Sequence, residues 1–348
     1  MSEFTHYIPQ DAMGISREQE EARDTIRTVE SGVASEWEHF TPEFVGTKVQ
    51  SMDLGAVREQ MTDFRTIYEA GRIAQYEGKV LFGTTSPVTV FFVGDLHYGS
   101  VFTDHEWVHE VFQKIDETPN AYAVFMSNMI DNAIPAKFPD GMLSNSIPPD
   151  KQVVAMRKMV QGLNEHGKVL GAVTSPCHEG WTAQKTGQDI NALIYGFEGR
   201  KFPILENGGR LTLEFPGAEY TLGLYHKIGP FRSNFNLTHG LKQMNRLRQG
   251  MQCDIVAGAH YHNGAVESVF DGIGENRRQL VYVQSGSAKG IDHIHDAWSM
   301  GNMGATGEPT GQSVTLWATE KKMDEHLNFE TGLLAQESYL LTHLARLK

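Results

Sequence analysis

An α/β fold is predicted by three features of this 348-residue chain. From Val88 onward, short runs of Val, Ile, Phe and Ala alternate with segments of helical periodicity. Such runs, bounded by glycine and polar turn residues, read as buried strands. The composition agrees, because 40% hydrophobic residues and 35 glycines suit a loop-rich α/β protein with a packed core.

Taken in order, residues 1 to 85 read as a separate N-terminal helical segment and residues 86 to 348 as the main domain. Ser16 and Gln19 form a capping-box pattern ahead of Ile26, Val29, Val33 and Trp37 at helical spacing. After a break near Pro42 and Ser51, Val57, Met61, Phe64 and Tyr68 mark a second helix. Packing on the main domain is the default use of these helices; oligomerisation or docking of a partner are the others. In the main domain, Val108, Val111, Phe112 and Ile115 with Trp107 mark one helix, and Val153, Met156, Val160 and Leu163 another. Leu241, Met244, Leu247 and Met251 form an apolar stripe whose basic flank, Lys242, Arg246 and Arg248, reads as a solvated face. Leu211–Phe215, Ala265–Phe270, Gln279–Gln284 and Ser313–Thr319 read as strands of a second sheet.

The strands carry the chemistry at their ends. Val90-Phe91-Phe92-Val93 runs into Gly94-Asp95-Leu96-His97-Tyr98-Gly99. Ala121–Met126 runs into Ser127-Asn128-Met129-Ile130-Asp131-Asn132, and Lys168–Val173 into Thr174-Ser175-Pro176-Cys177-His178-Glu179-Gly180. Tyr220–Tyr225 ends at His226, and Asp254–Ala257 runs into Gly258-Ala259-His260-Tyr261-His262. Ligands gather outside the carboxyl ends of strands in open α/β sheets. Five strand ends bearing Asp, His, Asn and Cys therefore point to a metal site.

The order and spacing of these residues resemble the calcineurin-like metallophosphoesterase superfamily, including its phage-encoded branch, over residues 86 to 295. That family reads G-D-x-H, G-D-x-x-D, G-N-H-D/E, a single His and G-H-x-H. The first motif is intact; the second and third are degenerate, with Asn128 and Cys177 at ligand positions. The resemblance implies a two-sheet β-sandwich flanked by helices, with Asp95, His97 and His262 holding one metal and His226 and His260 the second. It places the bridging aspartate on Asn128 and the asparagine ligand on Cys177. His178 takes the catalytic histidine's place with Glu179 after it, and Asp131 reads as an orienting group.

The two departures bear on the metals. Asn128 removes a negative charge between two dications, which weakens the hold on one of them. Cys177 either supplies a thiolate that, with His226 and His260, favours Zn²⁺, or fills the asparagine's space as a small buried residue. One or two divalent ions per chain are expected, Mn²⁺ or Zn²⁺, with Fe²⁺ also suited to such ligands. Three functions stay open: a phosphodiesterase (nuclease) acting on nucleic acid or nucleotides, a phosphomonoesterase, and a non-catalytic scaffold. The first is the leading expectation.

The remaining signals bound this reading. The net charge of −13 argues against broad electrostatic binding of nucleic acid. Two cysteines give no disulfide framework, and no basic leader or membrane-length apolar run is present, so a cytoplasmic hydrolase is expected. The loop Ala133–Pro149 is expected to form a substrate wall, and Tyr98 and Trp181 to stack on a base or an aromatic leaving group. Asp292-His293-Ile294-His295-Asp296 reads as a surface turn, and His105 and His239 as structural residues at helix starts.

Overall fold

The computed structural model describes residues 43–45, 75–134, 145–228, 236–247, 252–290 and 309–347. The chain divides into two compact units, Met1–Phe40 and Thr41–Lys348, and the described residues all belong to the second. The expected helices at 16–37 and 57–68, the centre of the 133–149 loop and the 292–296 turn lie outside the described residues. The stretch before residue 85 is not wholly helical. It supplies β1 (Glu43–Val45) and β2 (Gln75–Leu81), and β2 runs parallel to β6 (Ile204–Glu214).

The fold is mixed α/β. One hydrogen-bonded path joins β12 (Met323–His326), β11 (Gln312–Leu316), β3 (Val88–Val93), β4 (Ala121–Phe125), β5 (Val169–Thr174), β6, β7 (Glu219–Tyr225), β8 (Ile255–Gly258), β10 (Arg278–Gln284) and β9 (Ala265–Asp271), with β2 and β1 branching from β6. Strands β3 to β6 run parallel, as do β7, β8 and β10. Of the strands expected to form a separate sheet, β11 pairs antiparallel with β3 of the first, and the others join it through β6. It leaves β5 at Glu206 and pairs antiparallel with β7 from Gly209. Between them, Asn207 (φ 60°) and Gly208 (φ 108°) adopt left-handed backbone. A Cβ on Gly208 would lie 2.4 Å from the Tyr225 ring, so this corner requires glycine. The far ends of the path meet where Gln279 of β10 exchanges two hydrogen bonds with the Met323 backbone, at 2.9 and 3.1 Å.

Burial explains the uninterrupted apolar strands. In β3, Phe91 and Val93 pack beneath α1 (His105–Glu117) and α2 (Pro149–Glu165), against Val108, Val111, Ile115, Met156 and Val160. Val90 and Phe92 face the opposite way, into a core shared with Val124, Leu211, Leu222, Ile255 and Val281. Period-2 alternation sends successive side chains to opposite faces, and here both faces are covered. Helix α1 starts at Asp104, whose carboxylate accepts the Trp107 amide at 2.9 Å. The short helices α3 (His178–Thr186) and α4 (Ile190–Tyr195) follow β5, α5 (His239–Leu247) precedes β8, and α6 (Phe329–Leu347) ends the fold. On α5, Leu241 is buried but Leu247 is exposed, so the expected stripe is only partly covered. Among the described residues no helix is long and apolar enough to cross a membrane.

Candidate metal centre

The loops after β3 and β4 run side by side and extend the pairing of their strands. Asp95, His97 and Tyr98 donate their amides to the carbonyls of Ser127, Asn128 and Met129 at 3.0–3.1 Å. A Cβ on Gly94 would come within 2.7 Å of the Met126 side chain, which explains glycine at the strand exit. Seven of the nine described non-glycine residues with left-handed backbone lie in these loops or the one after β8: Asp95, His97, Ser127, Asn128, Asn132, His260 and His262. Each such conformation costs about 1–3 kcal/mol and clusters at functional sites. Ser287 steadies the first loop, its hydroxyl donating to the Asp95 carbonyl at 2.6 Å.

Two groups of possible ligand atoms converge here, and a third overlaps the first. In each, the atoms lie within 4.8 Å of one another: Asp95, His97 and His262 in one, Cys177, His226 and His260 in the other, and His97, Asp131 and His178 in the overlapping third. In the first, the Nε2 atoms of His97 and His262 stand 3.0 Å apart and 3.8 Å from Asp95 Oδ1. His97 Nδ1 donates to Asp131 Oδ1 at 3.0 Å, which turns a bare Nε2 toward the cluster. In the second, His226 Nδ1 donates to the Met126 carbonyl at 2.7 Å. Its Nε2 is buried, without a hydrogen-bond partner, 4.0 Å from Asp95 Oδ1. Cys177 Sγ lies 3.9 Å from His260 Nδ1. Asp95 Oδ1 thus borders both groups. Asn128 donates its amide to that oxygen at 2.9 Å and keeps a buried Oδ1 without a partner.

The protonation states suit a cation. Burial holds His97 and His262 well below the usual histidine range, and lowers His226 to about 3 with help from His260. They are therefore neutral, the form that binds metal. Burial pushes the Asp95 carboxyl well up, opposed by hydrogen bonds from the His260 amide and the Asn128 side chain. It also raises the Cys177 thiol, against the Ser175 hydroxyl. Bare imidazole nitrogens, an unpartnered amide oxygen and a desolvated carboxylate facing one another fit one or more divalent ions.

His178 lies beside the first group, its ring edge-on to His97 at 4.3 Å and its Nδ1 hydrogen-bonded to the Asp131 carbonyl. The Asp131 carboxylate accepts from His97 Nδ1 and lies 3.7 Å from Lys289 Nζ. Lys289 is the site residue that sequence reading missed; only its place just after the β10 end in Ser285-Gly286-Ser287-Ala288-Lys289-Gly290 signals it. Glu179 is brought to the site but not as expected for a catalytic group. Its carboxylate is wholly buried and turned to the backbone of the loop after β4, accepting from Asn128, Met129 and Ile130. Tyr98 is corrected as well. Only 7% exposed and packed edge-on to His105, it has no face for a base. Trp181 remains half-buried, its ring 4.0 Å from that of His178. His105 is structural as expected, its Nε2 accepting the Gly99 amide at 3.0 Å.

No protein-family profile matches the chain. No curated protein matches it either. Among solved structures it is similar to GAP50, described as the anchor in the inner membrane complex of Plasmodium, at 8% identity over 73% of this chain and 95% of that one, with a TM-score of 0.30. A likeness of that degree carries no argument about fold or function.

Proposed function

We propose that this chain is a metal-dependent phosphoesterase of the calcineurin-like metallophosphoesterase type, acting on phosphodiesters of nucleic acids or nucleotides. The observation that carries the proposal is the convergence on Asp95 Oδ1 of an oxygen–nitrogen ligand group and a sulfur–nitrogen one, with His178 alongside. The first group suits Mn²⁺ or Fe²⁺ and the second Zn²⁺. The sandwich form expected for this family is supported by the corner at Asn207-Gly208 and by the core into which Phe92 and Leu222 both point.

Bound ions of this kind would lower the pKa of a water and offset charge on the phosphate. The protein's own groups do the rest. Asp131 fixes the His97 tautomer. Its carbonyl fixes the His178 Nδ1 proton, so proton exchange with a leaving oxygen falls to His178 Nε2, a step worth about 10²–10⁴-fold in rate. Lys289 adds a positive charge beside Asp131. Trp181, against His178, supplies an aromatic surface that favours a base as the adjoining group.

The test is metal content per chain on protein purified without chelators, with hydrolysis of bis-p-nitrophenyl phosphate and p-nitrophenyl phosphate in added Mn²⁺ or Zn²⁺. Bound metal with diester turnover supports the proposal, and turnover of the monoester alone reassigns the substrate class. Tightly held zinc with neither activity overturns it in favour of a scaffold.

A further inference from the structure

We infer that Glu179 is a positioning residue whose carboxylate clamps the loop after β4 onto helix α3 and so sets Asn128 and Asp95 for metal binding. The inference rests on reading the cluster as a metal centre. Glu179 Oε2 accepts the Asn128 amide at 3.1 Å and the Ser127 hydroxyl at 3.3 Å. Oε1 accepts the Met129 amide and, at 3.4 Å, that of Ile130. Three successive backbone donors converge on one carboxylate because Ser127 (φ 69°) and Asn128 (φ 51°) are both left-handed, which turns the amides of the loop inward as an anion-binding concavity. A chain carboxylate here takes the place an external anion fills in such concavities.

The clamp reaches the ligands through short links. With the Asn128 backbone fixed, its side-chain amide meets Asp95 Oδ1, the oxygen bordering both groups. The carbonyls of Ser127 and Asn128 in turn accept the Asp95 and His97 amides. From the other side, Asn132 donates its amide to the His178 carbonyl and to Thr182 Oγ1, so the helix bearing His178 and the loop bearing Asn128 and Asp131 move together. Residues 178 and 179 therefore divide the work. His178 is placed for chemistry, and Glu179, one position on, holds the frame.

The test compares full-length wild type with Glu179→Gln and Glu179→Ala by Zn²⁺ titration against a chromophoric chelator, with melting temperature measured with and without Zn²⁺. Zn²⁺ affinity should weaken by about 10- to 100-fold, as when groups that hold metal ligands are removed, and the Zn²⁺-dependent rise in melting temperature should shrink. In the diester assay, kcat should fall with KM little changed. An unchanged affinity alongside a lowered melting temperature of the metal-free protein would overturn the inference and leave Glu179 a fold residue only. Should both variants fail to fold, Ser127→Ala removes one of the four donors and must shift affinity the same way by a smaller factor; no shift overturns the inference. Wild-type protein that binds no metal overturns the metal-centre reading and this inference together. Wild-type binding with unchanged Glu179→Gln affinity overturns the inference alone.

Discussion

His97 and His262 face each other through their Nε2 atoms at 3.0 Å, a separation at which two neutral imidazoles gain from a shared cation. His262→Ala and His97→Ala should each abolish metal at this group. The loss in metal affinity should exceed the about 10–100-fold typical when only a ligand's supporting partner is removed. Elemental analysis of the purified variants checks this, and metal content equal to wild type would count against the ligand assignment.

The pH dependence of the metal-free protein should follow the buried histidines. His226 titrates near 3 when folded, against about 6.5 in an unfolded chain. The unfolded state therefore takes up more protons between those values. The stability contribution is whole above about pH 6.5 and is lost as pH falls toward 3, by at most about 1.4 kcal/mol per pH unit for each such group. Asp95, raised by burial, acts oppositely, because its contribution is whole at low pH and is lost as pH rises through its folded value. The clean measurement is thus a difference. Melting temperatures of chelator-treated wild type and His226→Gln between pH 7.5 and 4.5 should show a shallower acid decline in the variant, and parallel curves would refute the assignment.

Asn128→Asp should have opposite effects with and without metal. It sets a second carboxylate against Asp95, whose Oδ1 now accepts the Asn128 amide at 2.9 Å. The metal-free variant should melt several degrees lower, about 1–3 kcal/mol less stable, because a buried charge loses its donor. With Mn²⁺ the variant should gain more stability than wild type and bind a second ion more tightly. Calorimetric titration measures both, and equal affinity would show that Asn128 does not limit the second ion.

Replacing Cys177 by Asn should change metal preference rather than stability. The thiol lies 3.9 Å from His260 and within reach of His226. Substitution with Co²⁺ should give a thiolate charge-transfer band in wild type that vanishes in Cys177→Asn and persists in Cys253→Ser, since the buried Cys253 packs with Tyr225 and Leu241 instead. Zinc should lose its advantage over Mn²⁺ in the Cys177 variant. A band that survives the substitution would leave Cys177 a space-filling residue.

Much of the site was legible because strand ends concentrate it: a run such as Val90–Val93 needs burial on both faces, and the polar residues at its exit must then meet those of neighbouring strands. What sequence could not show was direction. Asp95 Oδ1 borders both groups of candidate ligands, with the Asn128 amide against it, and Glu179 turns to the backbone of the loop after β4. Tyr98, adjacent in sequence to His97, points into the core. Lys289 sits in a small-residue turn with no periodicity to mark it. β2 was hidden because Gln75-Tyr76-Glu77-Gly78-Lys79 is too polar to read as a strand, and its pairing with β6 comes from tertiary contact.

The left-handed backbone at Asp95, His97, His260 and His262 also decides what a library of variants of this protein would reveal. Glycine and asparagine tolerate that conformation and β-branched residues do not. Selection for folding alone would therefore admit Gly and Asn at these positions while rejecting Val, Ile and Thr. Selection for bound metal would reject all five. The gap between the two selections, position by position, would separate residues kept for their shape from residues kept for their chemistry.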